Sequence, residues 1–187
     1  ARLYDAEPPE NVNERESMVG RMLAEAKRNP SDAGRPSVET PLHNAFSATF
    51  VVHVHPAFVG GLVCGRNSRE VCESLFPDYL YMAYTDPGYM LSMRTREEIQ
   101  KYSQQHGHEP VAIFMENHGV FVAADTAAEV REAFARIMTV LREQYAKAGL
   151  ATEIEIGPAP SEDVVGTVVE RVRCASGEDH ASHVENS

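Results

Sequence analysis

Histidines 53 and 55 flank a single valine in the run VVHVHP, residues 51–56. In an extended strand, residues two apart project to one face, with Cα atoms about 6–7 Å apart. Two imidazoles held that way can ligate one metal ion, and catalytic zinc takes three protein ligands and an open position. The plainer alternative is that one imidazole is a satisfied core group and the other is solvated. Six other histidines are candidates for a third ligand. His180 and His183 lie in a polar stretch, where solvation is the simpler reading. His106 and His108 form a second His-x-His, but Gln104, Gln105 and Gly107 predict a flexible loop there. His118 ends an apolar run beside Gly119, where a sharp turn would aim it at a pocket; it reads equally as a polar turn residue. His43 follows Glu39 by four positions, so the two share a face on a helix. Glu39 then reads as a general base, a fourth ligand, or one member of a helix-surface pair.

These side chains depend on the elements that carry them, and the pattern along the chain alternates helix with strand. Residues 14–27 place Met18, Met22, Leu23 and Ala26 on one helical stripe, ended by Arg28, Asn29 and Pro30. Ser37 is positioned to cap a short helix over VETPLHNAF, which Pro41 confines to its first turns. ATFVVHVHP is β-rich and stops at Pro56. FVGGLVCG reads as a close-packed helix, and DYLYMAY as a strand before a turn at Asp86-Pro87-Gly88. Residues 95–105 read as a polar helix. VAIFMEN (111–117) reads as a buried strand that His118-Gly119 interrupts and VFVAA resumes. The clearest helix spans 126–148, capped by Asp125 or Thr126, with Val130, Phe134, Ile137, Met138, Leu141 and Tyr145 on one face. A further helix, SEDVVGTVVERVR, follows the linker GPAP and carries a stripe of Val164, Val165, Val168, Val169 and Val172.

Composition bounds the class of function. The 187 residues suffice for one domain with a sizeable core, and 43% hydrophobic with 24% charged content fits an ordinary globular chain. A net charge of −11 argues against nucleic acid or an anionic membrane as the main partner. No apolar run approaches the ~20 residues that cross a bilayer. Three cysteines at no metal-ligand spacing fit reduced thiols, and hence a cytoplasmic location.

Four segments in order, PSVETPLH, VVHVHP, AYTDPGY and ENHGVFVAADT, resemble the class II aldolase/adducin family. Within it they look most like the aldolase portion of bifunctional rhamnulose-phosphate aldolase/alcohol dehydrogenase proteins, over roughly residues 30 to 145. The resemblance implies a three-layer α/β/α fold with a largely antiparallel central sheet, where the alternation alone would favour a parallel one. It implies one such domain over residues 1–173, followed by a polar tail over 174–187. It also implies that His53, His55 and His118 bind zinc, that Glu39 is the catalytic acid, and that Tyr84 reaches a neighbouring subunit's site. A homotetramer with cyclic symmetry follows from the same resemblance.

The chemistry implied is retro-aldol cleavage of a small hydroxy-carbonyl compound, a sugar or sugar phosphate. Three neutral imidazoles leave the ion its full charge to stabilise an enolate, so no Schiff-base lysine is required. Epimerisation or decarboxylation on the same scaffold, and a non-catalytic adducin-like role, are the alternatives. The chain departs from the family in two respects. Its phosphate-gripping Gly-Asn-Xaa-Ser and Ser-Gly segments are not found before Glu39. Either part of the family's N-terminal region is missing or the substrate is not held by phosphate. No tyrosine follows Tyr145, where some family aldolases carry a proton donor.

Overall fold

The computed structural model describes residues 3–29, 31, 34–152 and 161–176, with side chains described through residue 171. It falls into two compact units, Ala1–Leu150 and Ala151–Ser187. In the first, α1 (Val12–Glu25) begins where the Asn11 side chain accepts from the Asn13 and Glu14 amides, and so starts earlier than its apolar stripe predicts. Then come α2 (Thr40–His43), β1 (Phe50–Val54), α3 (Ala57–Val63), α4 (Ser68–Leu75) and β2 (Leu80–Met82). They are followed by α5 (Tyr89–His106), β3 (Ala112–Met115), β4 (Val120–Ala124) and α6 (Ala127–Lys147). Of the two caps the sequence offers, Asp125 and Thr126, it is Thr126 that caps α6, in a reciprocal capping box with Glu129.

The four strands form one sheet in the order β1-β4-β3-β2. β1 and β3 each pair antiparallel with β4, in agreement with the antiparallel expectation. The sheet is nonetheless mixed, because β2 pairs parallel with β3. The reason is α5, which carries the chain back along the sheet between them, as a parallel pair requires. α5 also begins at Tyr89 rather than residue 95, so the YMLSM run expected before it is helical.

Alternation along the two central strands builds two cores. Phe114, Val120 and Val122 face Val63, Phe76, Ile137 and Leu141 of the α3, α4 and α6 side. Ile113, Met115, Phe121 and Ala123 face Leu42, Phe46, Leu91 and Ile99 of the α2 and α5 side. Helices thus cover both sheet faces, the three-layer arrangement. His53 lies opposite Phe121 in the antiparallel register, on the α2 side.

The segment read as an interrupted strand is a hairpin. β3 and β4 are joined through Glu116–Gly119, with Asn117 in the left-handed region at φ 55°. The Met115 amide donates to the Gly119 carbonyl at 2.9 Å and closes the turn. Asparagine tolerates this conformation better than most residues, so the reversal turns on Asn117 rather than on Gly119.

The second unit contains α7 (Glu162–Ser176), where Thr167 Oγ1 donates to the Asp163 carbonyl and Val164 and Val168 are exposed. His180, His183 and most of the predicted polar tail lie outside the described residues. No helix among the described residues is long and apolar enough to cross a membrane.

Candidate metal centre

Three elements converge at one end of the sheet. β1 supplies His53 and the residues just after it supply His55; the β3–β4 turn supplies His118, and the N-terminal edge of α2 supplies Glu39. One ligand-type atom from each of these four residues lies within 4.8 Å of all the others. His53 Nε2 stands 2.9 Å from His55 Nε2, 3.3 Å from His118 Nε2 and 3.5 Å from Glu39 Oε1. Glu39 Oε1 is 2.9 Å from His118 Nε2. Ligands about 2.1 Å from a tetrahedral ion stand about 3.4 Å apart, so these four atoms have the spacing of a shell around one ion.

The electrostatics favour the same use. His53 Nδ1 lies 3.1 Å from the Val120 carbonyl. A carbonyl only accepts, so Nδ1 carries the hydrogen and the Nε2 lone pair faces the cluster. Burial pushes the His53 imidazole down to about 4, against smaller opposing effects of the Val120 bond and the Glu39 charge, with His118 and His55 adding to the fall. At neutral pH His53 therefore brings no extra proton to the cluster. Its ring also stacks on Phe121, with centroids 3.9 Å apart and planes 9° from parallel.

Gly119 makes room for His55. A Cβ there would overlap His55 Cδ2 and fall 2.7 Å from the Val54 carbonyl. The sequence marks Gly119 as a turn residue; its structural use is this close approach.

Glu39 reaches the cluster because α2 is short. The expected Ser37 cap is replaced by a turn in which Ser37 Oγ accepts from the Glu39 amide at 3.2 Å, and the helix starts only at Thr40. Glu39 occupies the N-cap position, yet its side chain caps nothing. Pro41 and Leu42 of the helix are buried, and the Glu39 carboxylate is left free to meet His118.

The other sequence candidates lie apart from these four. His43 Nδ1 donates to the Val51 carbonyl at 3.1 Å. His106 ends α5 as helix, not loop, and stacks on Tyr102 with centroids 4.1 Å apart; His108 Nδ1 donates to the Glu109 carbonyl. Among the described residues these four alone gather as a group of potential metal ligands. Tyr84 is exposed; its hydroxyl donates to Asp86 and its amide to Glu116. The Asp86 carboxylate, by accepting that bond and by its charge, holds the Tyr84 hydroxyl above the usual tyrosine range. The sequence reading missed Phe121, whose role needs the β1–β4 register to be seen.

Residues 9–145 match the family described as the Class II Aldolase and Adducin N-terminal domain. The chain belongs to that family. Among solved structures, the N-terminal class II aldolase domain of a conserved protein from Thermoplasma acidophilum superposes with a TM-score of 0.62 at 19% identity. The match covers 76% of this chain and 60% of that one. An aldolase II superfamily protein from Pseudomonas syringae is a more distant likeness, with a TM-score of 0.47 at 16% identity over 76% of this chain and 58% of that one. An uncharacterized oxidoreductase of Bacillus subtilis (strain 168), YuxG, is 28% identical over 94 residues, which is 50% of this chain and 13% of that protein. This class II aldolase/adducin domain thus spans a small part of that relative's length.

Proposed function

We propose that this domain is a metal-dependent aldehyde-lyase that makes and breaks a carbon–carbon bond in a small hydroxy-carbonyl compound, a sugar or sugar phosphate. The observation that carries the reading is the convergence of three imidazoles and one carboxylate with the spacing of a metal shell. His53, His55 and His118 would hold the ion, and zinc suits three imidazoles. When bound, the ion supplies a positive charge that polarises a carbonyl oxygen and offsets the negative charge left as the bond breaks.

The chain's own residues do the rest. The Val120 carbonyl fixes the His53 tautomer, and the Phe121 ring fixes its plane. Glu39, beside the imidazoles and uncommitted to its helix, handles the proton at carbon. In the synthetic direction Glu39 takes the proton from the carbon that becomes the nucleophile, and Tyr84 of a neighbouring copy protonates the aldehyde oxygen. Cleavage runs both transfers in reverse. The exposed phenol of Tyr84, kept protonated by Asp86, supports a role outside its own subunit. A cyclic homotetramer with sites at the contacts belongs to this reading, as does a reducing cytoplasm, supported by the free thiols Cys64 and Cys72.

The test is to incubate zinc-loaded protein with a panel of ketoses and ketose phosphates and to trap released aldehyde. Zinc-dependent aldehyde release is expected. Stereochemical inversion without aldehyde would replace the lyase by an epimerase, and turnover indifferent to metal removal would contradict the reading altogether.

A further inference from the structure

We propose that His43 is a positioning residue for Glu39, holding α2 to β1 so that the carboxylate stays at the imidazole cluster; this rests on reading that cluster as a metal site. α2 is four residues long, too short to fix its own orientation by internal hydrogen bonds. Glu39 precedes its first residue and His43 is its last. The two ends are held differently. At the first, Glu39 Oε1 meets His118 Nε2 at 2.9 Å. At the last, His43 Nδ1 donates to the Val51 carbonyl at 3.1 Å, two residues before His53 on the same strand.

That hydrogen bond has a fixed direction. Val51 O only accepts, so the proton lies on Nδ1 and His43 is bound to backbone rather than aimed at the cluster. The ring is held on its other side as well. It packs edge-on against Phe121, with centroids 5.3 Å apart, and Phe121 is the ring on which His53 stacks. The His43 and His53 rings thus share one platform, with centroids 6.5 Å apart. α2 carries the acid at one end and is pinned at the other to the strand that carries His53. A side chain with the same shape and no donor would release that pin and let Glu39 drift from the imidazoles.

The test uses Co2+ as the probe, because its visible bands report the donor set and geometry around the ion. Metal-stripped protein is titrated with Co2+ as wild type, H43F, H43L, H43N, E39Q and the double variant H43F/E39Q, with circular dichroism on each. H43N keeps a donor where Nδ1 stands, so it is expected to keep the wild-type bands. H43F and H43L are expected to shift the bands in the sense that E39Q shifts them, and H43F added to E39Q to cause no further shift. A purely structural role would lower the melting temperature of H43F and H43N alike and leave the bands of folded protein unmoved. Wild type that takes up no Co2+ would overturn the metal reading itself. Co2+ bound with identical bands in E39Q would remove Glu39 from the ion, and His43's role with it. Bands that shift in E39Q but not in folded H43F or H43L would overturn the His43 proposal alone. Failure of both donor-free variants to fold would also count against it, since displacement of one carboxylate leaves the fold intact.

Discussion

His53 differs from its two companions in how firmly it is held. Its Nδ1 is bonded to Val120, its ring lies flat on Phe121, and its side chain is only 4% exposed. That burial has a consequence for stability against pH. The folded state keeps His53 neutral down to about 4, whereas an exposed imidazole takes up its proton near 6.5. Between those values the unfolded chain binds the extra proton and the folded chain does not, so stability falls as the pH drops through this window. The melting temperature of metal-stripped wild type is therefore expected to fall more steeply between pH 6.5 and pH 4 than that of H53L; parallel curves would contradict it. For Glu39, the expectation is that E39Q retains the metal yet loses about 10²–10⁴-fold in turnover, measured as aldehyde release. Of these residues, the His53–His55 pair and His118 were legible from strand period and from the end of an apolar run. The sequence also picked out Glu39 and His43 as a pair, but set them on one helical face. Pro41 shortens the helix, so the two do different work at its opposite ends.

At the scale of elements, the β3–β4 hairpin decides where His118 stands. Gly119 has no room for a side chain, since a Cβ would collide with His55 and the Val54 carbonyl. G119A is expected to lose about 1–3 kcal/mol of stability in thermal unfolding, the usual cost of forcing extra volume into a packed site. It is also expected to bind zinc more weakly, because His55 must move. A variant with unchanged melting temperature and zinc affinity would show that the turn yields freely. α4 offers a separate check on the core. Burial pushes the Cys72 thiol up to about 12, with Glu73 adding to it, while Cys64 is exposed. Peptide mapping after brief alkylation of the native protein should find Cys64 modified and Cys72 intact until denaturant is added. The long amphipathic α6 is legible almost to the residue because its apolar period and the cap residues before it agree. The β3–β4 turn was legible at His118-Gly119, but its left-handed residue was not, because no glycine or proline marks Asn117. The parallel β2–β3 pair is what the alternation of helix and strand favours by itself, since a helix between two strands returns the chain for parallel pairing; the resemblance to the family pointed instead to a largely antiparallel sheet.

For the whole molecule, the proposed site draws on more than one copy of the chain. Tyr84 is 53% exposed and bonded to Asp86, so a part in catalysis places it against a neighbour. Sedimentation at micromolar concentration is expected to give a four-chain particle, and Y84F to lower aldehyde release without altering that particle. A monomer with full cleavage activity would contradict both. Beneath assembly and substrate lies one claim, that His53, His55 and His118 hold a single divalent ion. The most direct measurement is element-resolved metal content after equilibrium dialysis against zinc, for wild type and for H53A and H118A. The account predicts about one zinc per wild-type chain and little or none in either variant, with fold retained by circular dichroism. Wild type that stays metal-free, or variants that load as fully as wild type, would contradict it.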